Sequence, residues 1–221
     1  MAKRKFILPT FDEPYVSALT MIPPPNGGSA IWFKCESTVL KANGTVLRNN
    51  GTWNGSYGQA GCVVVGSIWA GYAYSSLPSW CASVVPAGQS NYTWATTTPQ
   101  LRAVQKPDNL SDRIAACWYN TTPFTITVDI TDNKLHYVSM YFLDWDSARV
   151  QTIEAKRFSD GVVLESTTIS NFNTTGKWLT WQLSSKTVFT ITLGSGANAV
   201  VSGVFFDEID FPRSVRTSLS Y

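Results

Sequence analysis

Charge is scarce in this chain. Of 221 residues, 17 are basic and 15 acidic, 14% in all, against roughly 25% in an average soluble domain. A net charge of +2 gives no basic field to hold a phosphate backbone, so nucleic acid is not an expected partner. Low charge together with 13% aromatic residues also excludes a disordered tail, which needs the opposite composition. Histidine is scarcer still, because His136 stands alone. One histidine cannot build H-E-x-x-H, and a hydrolytic triad would have to use it without any G-x-S-x-G elbow to supply the nucleophile. The phosphate loops G-x-x-x-x-G-K-[ST] and strand-linked G-x-G-x-x-G are missing too. The expectation is a non-catalytic protein without a cofactor, with His136 a structural or surface residue.

Long apolar runs are missing as well. None reaches the roughly 18 residues of a membrane helix, and the longest window, 62–74, is broken by Gly66, Ser67 and Gly71. No membrane insertion is expected. Lys3-Arg4-Lys5 suits a signal n-region, but Pro9 follows Phe6-Ile7-Leu8 too soon for an h-region, and no secretory signal is read. Cys35, Cys62, Cys81 and Cys117 form no C-x-x-C, which excludes a zinc ribbon. Two disulfides are permitted by number; free, buried thiols are the expectation in a chain long enough to build a core. The Asn-x-Ser/Thr triplets at Asn43, Asn50, Asn54, Asn91, Asn109, Asn120 and Asn173 are read as composition of an Asn-, Ser- and Thr-rich sequence.

Proline marks out residues 1–30. Pro9, Pro14 and Pro23-Pro24-Pro25, followed by Gly27-Gly28, describe a stiff extended arm with a joint. A plain linker has no use for Phe6, Ile7, Leu8, Phe11 and Tyr15, so the arm is expected to dock on a neighbouring subunit. Residues 31–210 read as one β-sandwich domain and 211–221 as a tail. Strands are expected at 31–35, 39–47 and 61–65. Alternation of period two marks 125–130, 177–183 and 188–193, an aromatic and β-branched run marks 136–145, and further strands are read at 150–158, 162–169 and 199–206, with Asp160-Gly161 as a hairpin turn. Seven strands in so short a span are the pattern of a sandwich. A short helix is the reading for 109–119, and an aromatic-bearing loop for 68–80.

Several phrases in order carry a resemblance. Gly51-Thr52-Trp53-Asn54-Gly55-Ser56-Tyr57-Gly58-Gln59-Ala60-Gly61, Tyr92-Thr93-Trp94-Ala95 and Arg102-Ala103-Val104-Gln105-Lys106 come first. Asp112-Arg113-Ile114-Ala115-Ala116-Cys117-Trp118-Tyr119, Tyr141-Phe142-Leu143-Asp144-Trp145-Asp146, Gln151-Thr152-Ile153-Glu154 and the stretch from Gly196 to Phe206 follow. Together they resemble a bacterial galactose-binding-domain-like module of surface and secreted proteins, over about residues 49–207. The resemblance implies a jelly-roll fold and a non-catalytic, glycan-binding role.

Candidate residues follow from chemistry. Sugar sites pair aromatic platforms with polar groups for the hydroxyls. Trp69, Tyr72, Tyr74 and Trp80, in the loop-like segment, are the candidates. Trp178 and Trp181 are three apart, hence on opposite strand faces, and only one is expected in the core. Trp53, Trp118 and Trp145 are expected to pack internally. Asp144 and Asp146 share a strand face by period two, and one of them is expected to be buried and paired to Arg113 or Arg149. Asp207, Glu208 and Asp210 are weak candidates for a structural calcium, and a solvated acidic cluster is favoured over it.

The reading that gathers these features is a non-enzymatic binding or decoration protein on a larger assembly. A phage virion fits, as a capsid decoration, head-fibre or tail-adhesin protein with protein subunits and a surface glycan as partners. The alternatives are an accessory carbohydrate-binding module of a bacterial secreted enzyme, and a small glycosidase using two of Asp144, Asp146, Glu154 and Asp207.

Overall fold

The structure is a computed structural model. It describes residues 50–209 and, as backbone only, five short strands nearer the N-terminus. Those are β1 (Tyr15–Val16), β2 (Thr20–Ile22), β3 (Trp32–Lys34), β4 (Val39–Leu40) and β5 (Val46–Leu47). Their pairings join β1-β4-β5 and β2-β3, and none of the five enters a sheet of the domain that follows. Val39 pairs with Leu47, so the single strand expected over 39–47 is a hairpin. Phe6, Ile7, Leu8 and Phe11 lie outside the described residues; Tyr15 is seen only as backbone in β1.

Fourteen further strands follow, all antiparallel. They begin with β6 (Gly61–Val65), β7 (Ala73–Ser76), β8 (Cys81–Ala87), β9 (Ser90–Ala95), β10 (Val104–Lys106), β11 (Asn109–Asn120) and β12 (Phe124–Ile130). They continue with β13 (His136–Phe142), β14 (Val150–Arg157), β15 (Val163–Ile169), β16 (Lys177–Leu183), β17 (Thr187–Ser195), β18 (Ala199–Val201) and β19 (Gly203–Glu208). Two five-stranded sheets, ordered β15-β14-β17-β12-β8 and β16-β13-β19-β6-β7, form an all-β sandwich. A smaller sheet of β10-β11-β18, with β9 also on β11, stands beside them.

Burial shows which faces are covered. In β12, Phe124, Ile126, Val128 and Ile130 are buried while Thr125, Thr127 and Asp129 between them are half-buried, the alternation of a sheet wet on one side. In β13, by contrast, every residue from Val138 to Phe142 is buried, so that sheet is covered on both faces. One face meets the other sheet, with the Trp181 and Phe189 rings 4.8 Å apart. The other lies under residues 50–58, where Tyr57 stacks on Trp178 at 4.0 Å and Trp53 rests 5.5 Å from Phe205. Trp178 and Trp181 are therefore both core residues, 1% and 2% exposed, which corrects the expectation of only one. Period two does place them on opposite faces; each face simply has its own cover.

Three more readings are corrected. Residues 109–119 form strand, not helix, because β9, β10 and β18 all pair with β11 and take up its backbone hydrogen bonds. The run 199–206 breaks at Ser202, whose amide donates to the Tyr141 carbonyl as the chain passes from β11's sheet to β13's. The 68–80 segment is only partly loop: it holds a 3-10 turn at Ala70–Tyr72 and then β7.

Tight closures fix the layers. Gly176 has φ +71°, and a Cβ there would lie 1.9 Å from the Tyr141 hydroxyl. Tyr141 is fully buried and that hydroxyl donates to the Arg102 carbonyl at 2.6 Å, so only glycine lets the chain pass. Cys62, Cys81 and Cys117 are free and buried; Cys35 lies outside the described residues.

Candidate ligand-binding surface

β13 ends at Phe142, so Asp144 and Asp146 lie in the connection to β14 and not on a strand, contrary to the period-two reading. Asp144 is 1% exposed and forms an ion pair with Arg149, itself 2% exposed. It also accepts the amides of Ser147 (3.1 Å) and Arg149 (2.9 Å), closing the turn on itself. Arg113 is not its partner: that guanidinium donates to the Leu101 and Ala103 carbonyls and to Thr52 Oγ1 at 2.7 Å.

Asp146 faces outward from the same turn, its side chain 51% exposed. One oxygen lies 2.8 Å from Arg149 Nη1, and the other accepts the Trp94 indole N–H at 2.8 Å. Partial burial works to raise its pKa, but the bonds from Arg149 and Trp94 win and hold it below the ordinary carboxylate value. Trp94 has its lower face 5.5 Å from the Arg149 guanidinium. On β9, Tyr92 lies two residues away, and the register with β11 shifts at Trp94, which has no partner across the pair. Tyr92 is 50% exposed and meets Trp94 edge-on at 5.7 Å and Tyr119 of β11 at 6.3 Å. Three aromatic rings and one ionised carboxylate thus share a rim. Sequence reasoning missed this group; the signal was two large aromatics, Tyr92 and Trp94, in an otherwise polar strand, brought together where the register shifts at Trp94.

The four sugar candidates do not converge. Trp69 and Tyr74 meet edge-on at 5.8 Å, and the Tyr72 hydroxyl accepts from Thr93 Oγ1 at 3.2 Å on the other side of β9. All three are half-buried against the core, and Trp69 spends its indole N–H on Asp108. Trp80 belongs elsewhere and is 7% exposed, which corrects its placement in an open loop. Its ring lies flat on His136 at 3.7 Å, and its indole N–H donates to Glu208.

That second place is a cleft of about 280 Å³ lined by Ser79, Trp80, Thr131, Asp132, Lys134, His136 and Glu208. His136 is 2% exposed, with Nε2 3.1 Å from both Asp132 oxygens. Its Nδ1 lies 3.1 Å from Glu208 Oε2 but off hydrogen-bond alignment. The Lys134 amide foremost brings Asp132 below its ordinary pKa, with help from His136, against the opposing effect of burial. The carboxylates weighed for calcium have other partners: Asp207 accepts the Gly58 and Gln59 amides, Glu208 takes Trp80, and Asp210 lies outside the described residues. Among the described residues no cluster of three metal-ligating side chains exists. Of the four carboxylates weighed for glycoside cleavage, Asp144 and Asp146 share Arg149, whereas Glu154 pairs with Lys156 on β14 and Asp207 accepts the Gly58 and Gln59 amides. Among the described residues no helix is long and apolar enough to cross a membrane. Comparison with family models and with curated proteins finds no match to this chain.

Proposed function

We propose that this chain is a non-catalytic binding and display protein, a jelly-roll sandwich of the galactose-binding-like kind that holds glycan at its rim. The observation that carries this reading is the Tyr92–Trp94–Tyr119 surface beside Asp146. Aromatic faces cover the apolar side of a pyranose ring, and a fixed carboxylate accepts from its hydroxyls. The site is moved from the loop trio to β9 because Tyr92 is more open and Asp146 is held in place by two donors. A broad glycan array tests it: binding by the wild type and its loss in Tyr92→Ala support the reading, and silence across the array removes it.

The wider assignment is to the surface of a larger assembly, a virion decoration, head-fibre or tail-adhesin protein, with copies of the chain and host glycans as partners. Its support is that the N-terminal strands pair with one another and hydrogen-bond into neither sandwich sheet, with β3 lying against β16 at the edge of one. Deleting residues 1–28 is expected to abolish assembly in size-exclusion chromatography and leave the sandwich's melting transition in place. Unchanged assembly contradicts it.

A further inference from the structure

The outward charge of the rim is one-sided. Both arginines near it are turned inward. Arg149 spends its donors on Asp144, Asp146 and Asn198 Oδ1. Arg102 lies over Trp145 at 4.2 Å and donates to the carbonyls of Asp144, Trp145 and Asn173. Trp94 has given its N–H to Asp146. The charged group that the rim presents outward is therefore an acceptor, the Asp146 carboxylate held by Arg149 and Trp94, and the Tyr92 and Tyr119 hydroxyls add neutral groups that both donate and accept. The Tyr92 and Tyr119 rings lie alongside it.

A ligand that meets an ionised carboxylate must bring donors, and a second carboxylate facing it is repelled. Adjacent hydroxyls suit the exposed oxygens of Asp146, while the ring to which they are attached covers Tyr92. Resting on the glycan reading above, we infer that the Tyr92–Trp94–Asp146 surface selects neutral pyranosides with a free vicinal diol and rejects uronic and sialic acids. Selection arises from Asp146, whose charge and position are set by Arg149 and Trp94; Tyr92 supplies contact area without regard to charge.

The test is a titration of the full chain with methyl β-D-galactopyranoside, methyl α-D-mannopyranoside and methyl β-D-glucuronide, read by heteronuclear NMR. At least one neutral glycoside is expected to bind, with the glucuronide weaker by about tenfold, the equivalent of about 1.4 kcal/mol. Asp146→Asn keeps the shape and removes the charge, and is expected to narrow that gap to about threefold or less while weakening the neutral sugar. Tyr92→Ala, at a half-exposed ring the core does not need, is expected to weaken all ligands alike. A glucuronide that binds wild type as well as the neutral sugars overturns the selection but leaves the glycan reading standing, as does an unchanged ratio in Asp146→Asn. If Asp146→Asn does not fold, the wild-type ratio decides. No response to any of the three sugars, with silence on the array, overturns both.

Discussion

Trp94 and Asp146, 52 residues apart in sequence, are joined by a 2.8 Å hydrogen bond from indole to carboxylate. Behind them Arg149 holds the outer Asp146 and the inner Asp144 at once. A buried ion pair thus positions an exposed carboxylate, which couples the stability of the turn to the shape of the rim.

Asp144→Ala leaves Arg149 buried without its inner partner. Removing one member of a buried pair costs about 3–5 kcal/mol. For a domain of this size the melting temperature is expected to fall by roughly 10 °C, measured by calorimetry. A double variant, Asp144→Leu with Arg149→Met, is expected to recover much of the loss, because the uncompensated charge goes with its partner. A shift below about 3 °C in Asp144→Ala contradicts the structural role.

Gly176→Ala and Gly161→Ala separate steric closure from backbone strain. Both glycines have φ +71°, but a Cβ at Gly161 meets nothing within 4 Å, whereas at Gly176 it runs into Tyr141. The first is expected to cost about 1 kcal/mol and the second about 3 kcal/mol or more, read from urea midpoints. Equal costs contradict the packing described around Tyr141.

Acid stability follows from the carboxylates. Lys106 foremost holds Asp112 below the usual range, the Lys134 amide does so for Asp132, and Asp146 is lowered as described. Unfolded carboxylates titrate near pH 4, so on acidification the unfolded chain takes up these protons first. The stability from these groups is full above that pH and is lost as pH falls toward their lower folded values. Asp207 is raised by burial, partly offset by the Gln59 and Gly58 amides, and acts in the opposite sense. Its protonation favours the folded state between the ordinary and the raised value. Melting temperature is expected to fall below about pH 4, and less steeply in Asp112→Asn. Identical slopes in both chains contradict the assignment.

Burial pushes the Cys62 thiol up to about 12 and Cys81 to about 11, and raises Cys117 further in the same direction. In a Cys35→Ser chain, none of the three is expected to react with a disulfide reagent at pH 8 until denaturant is added. Reaction of native protein within minutes contradicts their burial.

Strand pattern was the legible part. β6 and β16 begin and end at the expected residues, and β12 and β14 differ by a residue at an end. Alternation reports one wet face and reads β12 and β14, while β6 and β16, largely covered on both faces, are marked by β-branched and aromatic residues. It fails in β11, where Ile114 to Trp118 are buried in succession and a covered strand looks like a short helix. The Asp–Arg pairing could be anticipated from charge scarcity, since a lone acid near an arginine in an apolar run has few partners. The rim could not, because it needs β9 laid beside β11 and the 143–149 turn folded over both. The same holds for His136, whose neighbours Trp80, Asp132 and Glu208 come from three separate strand ends.

The most direct measurement is the indole N–H resonance of Trp94 during addition of methyl β-D-galactopyranoside or methyl α-D-mannopyranoside. A saturable shift of that signal, with the Trp178 and Trp181 signals still and the response absent in Tyr92→Ala, is the expected result. Saturable binding that moves the Trp69 indole and leaves Trp94 unmoved, or no indole response to either sugar, contradicts the account.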